Sequence, residues 1–179
     1  MTPQRLIFGV LSLLALVATA GCDSKEQAAH KNSDAKFDAI SNICSYLDGE
    51  GLPTGEWKNS GTEDEPDFGC SSSYNELGSS NGLRNNLAYY VDGDETDVTK
   101  LYLVLNVNDA GQAVSAYQAL LEAASVLTQK VTHSGLPSEL NTAILAGTRS
   151  EVAVGKFKIR TFEQAWPTGR GYEVHFEIQ

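Results

Sequence analysis

Apolar residues are spaced along this chain in three ways, and each predicts a different element. Near the start, Leu6 to Ala20 is apolar except for Gly9, Ser12 and Thr19. That run of about 15 residues falls short of the roughly 20 that a helix needs to cross a bilayer. Arg5 before it and small residues after it make it a secretory signal. Further along, apolar residues recur at three- and four-residue steps. Phe37, Ile40, Ile43, Cys44 and Leu47 predict a first helix, capped by Ser33 or Asp34 and stopped at Asp48-Gly49. Ala113, Val114, Tyr117, Leu120, Leu121, Ala124, Leu127 and Val131 predict the longest helix, from Ala110 to about Lys130. Leu136-Pro137 opens a short helix that runs to Ala146, with Gly147 just past its end.

The third spacing is alternation, the mark of a strand with one buried face. Phe68, Cys70, Ser72 and Tyr74 predict one strand, and Gly55-Glu56-Trp57-Lys58 a shorter one before it. The stretch from Asn75 to Asn86 is turn-rich. Leu87 to Val91 and Leu101 to Val107 predict a hairpin, with Leu101, Leu103, Leu105 and Val107 on one face. Val152, Val154, Phe157 and Ile159 read as a single strand with Gly155 at a bulge. Tyr172, Val174, Phe176 and Ile178 alternate with Glu173, His175 and Glu177, which sends His175 to a solvated face. Strands in runs joined by short loops imply an antiparallel sheet. The predicted fold is therefore a two-layer α+β sandwich, an antiparallel sheet with helices on one face, formed by residues 34–179.

Thr19-Ala20-Gly21-Cys22, at the end of the first run, resembles the lipobox of bacterial lipoproteins. The resemblance implies diacylglycerol on the Cys22 sulfur, cleavage just before it, and fatty acylation (palmitate or a similar chain) of the new amine. Residues 1–21 would then be the signal peptide, and 22–33 the lipidated cysteine with a polar tether. Thr19 stands where the family often has Leu. Ordinary signal cleavage after Ala18-Thr19-Ala20, with release of the chain from the membrane, is the rival reading. Cysteine parity favours lipidation. An exported chain meets an oxidising compartment, and lipid on Cys22 leaves Cys44 and Cys70 as an even pair. Asp23 directly after the cysteine resembles the inner-membrane retention signal of enteric lipoproteins. Other bacterial groups sort differently, so inner or outer membrane stays open.

Composition then narrows the partners. Loss of the first 21 of 179 residues would leave 12 basic against 23 acidic residues. So acidic a chain disfavours nucleic acid and anionic headgroups, and suits a basic protein or simple solubility. A helix carrying Cys44 on its buried stripe, packed on a strand with Cys70 on its inner face, predicts a Cys44–Cys70 disulfide. A redox or metal pair lacks C-x-x-C spacing and a neighbouring His.

Candidate chemistry is sparse, and no cofactor is implied. Asp92-Gly93-Asp94-Glu95-Thr96-Asp97 has acids at alternate positions, but Asp97 replaces the required Gly of an EF-hand and Leu103 its bidentate Glu. A solvated hairpin loop is the reading taken, with no metal ligand assigned and calcium binding left open. His30 belongs to the tether and His133-Ser134 to a loop, with no third catalytic group to orient them. The P-loop, G-x-S-x-G and H-E-x-x-H motifs are missing. Trp166 and Arg170, in the Gly/Pro-rich link Gln164 to Gly171, are candidate partner contacts, or Trp166 folds back on the sheet edge. These residues lead to a non-enzymatic, lipid-anchored envelope protein facing the periplasm. Its domain would be a binding or assembly module, or alternatively an inhibitor or immunity-type protein whose acidic surface blocks a basic enzyme.

Overall fold

The computed structural model describes residues 36–79 and 82–179. The signal run, Cys22, the segment 22–33 and the caps at Ser33 and Asp34 lie outside the described residues. Among the described residues, eight strands form one open antiparallel sheet. They are β1 (Lys58–Asn59), β2 (Phe68–Ser71), β3 (Asn75–Leu77), β4 (Asn85–Gly93), β5 (Val98–Val107), β6 (Ser150–Val154), β7 (Phe157–Ala165) and β8 (Tyr172–Ile178). Their order is β1-β2-β4-β5-β8-β7-β6, with β3 following β2 along the same edge of β4.

Alternation decides which face is covered. Leu101, Leu103 and Leu105 of β5, Tyr89 and Val91 of β4, and Phe176 and Ile178 of β8 are fully buried on one face. Helices α2 (Ala113–Thr132) and α3 (Ser138–Ala146) pack over that face, α2 on β4 and β5, α3 on β6 and β7. The α2 residues buried there are Ala116, Leu120, Leu121, Ala123, Ala124, Leu127 and Thr128. Val114 is not among them; it lies 84% exposed on the far side of the helix. α3 stops where Gly147 takes a φ of 62° and Thr148 N–H reaches the Ala143 carbonyl at 2.9 Å. The protein is thus a two-layer α+β sandwich with helices on one face. Among the described residues, no helix is long and apolar enough to cross a membrane.

The first helix is much shorter than its sequence stripe. α1 covers only Ile40–Cys44, with no side-chain cap and no acid in its first turn. Phe37 reaches the core from the segment before it, where its ring meets Phe157 at 5.3 Å. Leu47 and Leu52 reach it from the turns beyond. The Cys44–Cys70 disulfide ties this layer to β2, joining cysteines 26 apart in sequence.

Two further differences have local causes. The stretch read as one strand with a bulge at Gly155 is two strands, β6 and β7. Gly155, at a φ of 59°, opens a two-residue hairpin turn that sets Val154 opposite Phe157. The stretch after Tyr74 is also not all turn. Asn75–Leu77 pairs with the first residues of β4, which begins at Asn85 rather than Leu87.

Candidate functional site

The uncovered face of the sheet carries the side chains that alternate with the core. Cross-strand register sets them in rows: Ser71, Tyr90, Tyr102, Glu177 and Arg160, then Ala88, Val104, His175 and Phe162, then Asn86, Asn106, Glu173 and Gln164. Such neighbours on one face lie about 4.5–5.5 Å apart at Cβ and interact directly. The Tyr90 and Tyr102 rings stack with centroids 4.9 Å apart. The Tyr90 hydroxyl donates to the Tyr74 hydroxyl at 3.3 Å, and that of Tyr102 to Asp92 Oδ1 at 3.3 Å. Arg160 meets one Glu177 oxygen through Nε at 2.6 Å and Nη2 at 2.5 Å. The Glu177 side chain is only 8% exposed although it belongs to this face.

His175 sits on the outer face, but it is packed rather than bathed in solvent. Its ring stacks on Phe162 at 4.8 Å, and Nε2 lies 2.8 Å from Glu173 Oε2. Glu173 also accepts from the Trp166 indole N–H at 3.2 Å. Trp166 is therefore folded back onto β8, and its ring occupies the space where a side chain on Gly171 would project. Arg170 stays exposed at the tip of the β7–β8 loop. The structure does not bring Trp166 and Arg170 together as one contact. His133 is the left-handed cap that ends α2 and is exposed.

One end of this face is acidic. Pairing of Phe68 with Gly93 places the β1–β2 loop beside the β4–β5 loop. Glu63, Asp64, Glu65 and Asp67 in the first loop thereby come alongside Asp94, Glu95 and Asp97 in the second, with Asp92 near the end of β4. Beside the tyrosines lies a cleft of about 370 Å³, lined by Glu56, Lys58, Asp67, Tyr90, Asp92 and Tyr102 among others. Lys100 contacts two of these residues, with Nζ 2.9 Å from Asp92 Oδ2 and 4.1 Å from the Tyr102 ring centre. Burial first, and then the Asp92 charge, push the Tyr102 phenol well above its ordinary pKa. Burial and the Tyr74 hydrogen bond do the same for Tyr90. Both hydroxyls therefore stay protonated and able to donate.

Within the β4–β5 loop, Asp94 Oδ1 accepts from the backbone N–H groups of Thr96 and Asp97, both at 2.8 Å. Those bonds lower its carboxyl pKa and use the acid to shape the turn. Among the described residues, no group of three or more His, Cys, Asp or Glu is arranged to hold a metal ion.

The tyrosine ladder and the Arg160–Glu177 pair were not picked out from the sequence. Tyr102 alternates with Leu101 and Leu103 and so faces away from the core, but its neighbours depend on a register that one strand's pattern does not reveal. What the face offers chemically is contact. Tyrosine rings and arginine are among the side chains that dominate protein interfaces. Comparison with protein-family models, with curated sequences and with solved structures yields no match.

Proposed function

We propose that this chain is a membrane-anchored lipoprotein of the bacterial envelope, facing the periplasm, whose α+β domain is a non-catalytic binding or assembly module. The open sheet face carries the reading. A sheet covered by helices on one side only, with tyrosines, an arginine and half-buried carboxylates across the other, suits a protein partner. The lipobox at Thr19–Cys22 supports the address. With two or more acyl chains on Cys22, at ~0.8 kcal/mol per buried methylene, the domain would be held stably on a bilayer.

The alternative, an inhibitor of a basic enzyme, is favoured by one observation: the β1–β2 and β4–β5 loops gather their acids at one end of the open face. Two experiments test the proposal. Fatty-acid labelling should be lost in Cys22→Ser; a mutant still labelled overturns the anchor. A photo-crosslinking residue at Ser71 or Gln164, both exposed on the open face, should give discrete adducts in intact envelopes, and one at Gln118 on α2 should not. Adducts with several envelope proteins at low and moderate salt support assembly. A single basic protein lost as salt rises supports inhibition. No adduct from either open-face position overturns the binding role.

A further inference from the structure

We infer that the acidic end of the open face is a receptor for an arginine or lysine side chain presented by a basic protein partner, which seats in the cleft beside Tyr90 and Tyr102, between β1 and β4. This deepens the binding role proposed above and rests on it. The cleft is a formed concavity of about 370 Å³ on an unpartnered sheet face, walled by the stacked Tyr90 and Tyr102 rings. Glu56, Asp67 and Asp92 supply carboxylates around it, and the loop acids beyond extend the negative field. Lys58 and Lys100 offset part of that charge. Lys100 also displays the chemistry: the chain's own ammonium lies against Asp92 and over the Tyr102 ring, the geometry of a cation–π and ion-pair contact. A formal charge of −10 draws a basic partner in from a distance.

Carboxylates on a rim act at modest strength, so loss of two should weaken binding by about twofold to thirtyfold. The measurement is fluorescence anisotropy of labelled hexa-arginine with the full chain in detergent, at about 20 mM and about 200 mM salt, with hexa-glutamate as control. Glu56→Gln with Asp67→Asn should weaken binding by that amount, and Glu122→Gln with Glu139→Gln on the helical side should change it less than twofold. Lys100→Met removes the internal competitor and should tighten binding. Equal losses in the two double variants, or weaker binding by Lys100→Met, overturn the proposal, because the peptide then reads bulk charge alone. A doubled mass in sedimentation that Tyr90→Ala abolishes also overturns it, since the occupant is then a second copy. Photo-crosslinking separates the two ideas. Adducts kept at full yield in the cleft variant leave the binding role standing and overturn the cleft as its seat. Their absence from the wild type overturns the binding role itself.

Discussion

Opening the Cys44–Cys70 bridge should be the most damaging change that leaves every apolar side chain in place. The bridge closes a loop with a sequence separation of 26. On the chain-entropy model a loop of about 27 residues gives ~3.5 kcal/mol at 25 °C, arising from the restricted unfolded chain. The folded side adds a reason for dependence. α1 is five residues long, far below the ~12–15 at which isolated helices become even marginal. Its hold on the sheet consists of the buried Ile43, Leu47 and Leu52, the Tyr89 hydroxyl donating to the Ile43 carbonyl at 3.0 Å, and the Thr54 hydroxyl donating to that of Cys44 at 2.8 Å. Cutting the bridge leaves those contacts formed but no longer enforced.

Urea unfolding of oxidised protein, reduced protein and Cys44→Ala/Cys70→Ala would read the magnitude. A loss of about 3–4 kcal/mol is expected, equivalent to roughly 7–14 °C in melting temperature for a domain of this size. The denaturant slope should rise, because an uncrosslinked chain exposes more surface when unfolded. Hydrogen exchange should accelerate first across 40–57 and only later in β4 and β5. A reduced protein within about 1 kcal/mol of the oxidised one, with unchanged exchange over 40–57, would refute the reasoning, since burial alone would then hold α1.

Three more outcomes are expected. Glu177→Gln strands Arg160 on a half-buried face and should cost about 1–3 kcal/mol in urea unfolding; Arg160→Met with Glu177→Met should cost less than the sum of the single changes, and additivity would show that the pair is not coupled. Tyr46, Tyr89, Tyr90, Tyr102 and Tyr117 all have raised phenol pKa values, burial being the first cause in each. The neutral form is favoured in the fold, so this contribution is complete below the unfolded value of about 10 and lost as pH climbs past it; phenolate absorbance should appear together with loss of the circular dichroism signal, and smooth ionisation of a still-folded chain would contradict it. Gly93→Ala would set a Cβ 2.1 Å from the Asp97 carbonyl oxygen at the register shift in the β4–β5 hairpin, and should cost about 1–3 kcal/mol. Gly49→Ala, with nothing within 4 Å, should be close to neutral in the same assay.

Elements with strict periodicity were legible in the sequence, and those shaped by contacts distant along the chain were not. β8 alternates without a break, and its residues take the faces the pattern assigns them, although outward-facing Glu177 is buried beneath Arg160. α3 carries its own stop at Gly147. The β6–β7 turn shows the limit. Apolar parity changes between Val154 and Phe157, and one extra residue in a strand produces that change as well as a two-residue turn does. Only pairing of Val152 with Ile159 separates them. The stripe from Phe37 to Leu47 likewise reports burial correctly and helix length wrongly, because turns brought its two ends to the core. The outer-face ladder was invisible for a deeper reason. Tyr90 and Tyr102 lie on different strands and Tyr74 in the link between β2 and β3, and they meet only once β2, β3, β4 and β5 are in register.

That register also bears on where a partner would approach. β4 and β5 meet at the acidic loop, β6 and β7 turn at Gly155, and Phe37 packs on Phe157, so the described chain begins at the same end of the sheet as the proposed cleft. The Trp166–Arg170 loop closes β7 and β8 at the other end. Eleven residues, 23–33, separate the lipid anchor proposed at Cys22 from the domain in sequence. A cationic side chain seated in the cleft would then come from a partner close to the bilayer itself. Lengthening the tether with a Gly/Ser insert after Ser33 separates the two ends as binding sites. A membrane-held partner bound at the cleft should be crosslinked from Ser71 less efficiently as the insert grows, because effective concentration falls with linker length. A freely diffusing partner at the Arg170 loop should be unaffected. Unchanged Ser71 adducts at every tether length would place the partner in solution and remove the membrane from the account.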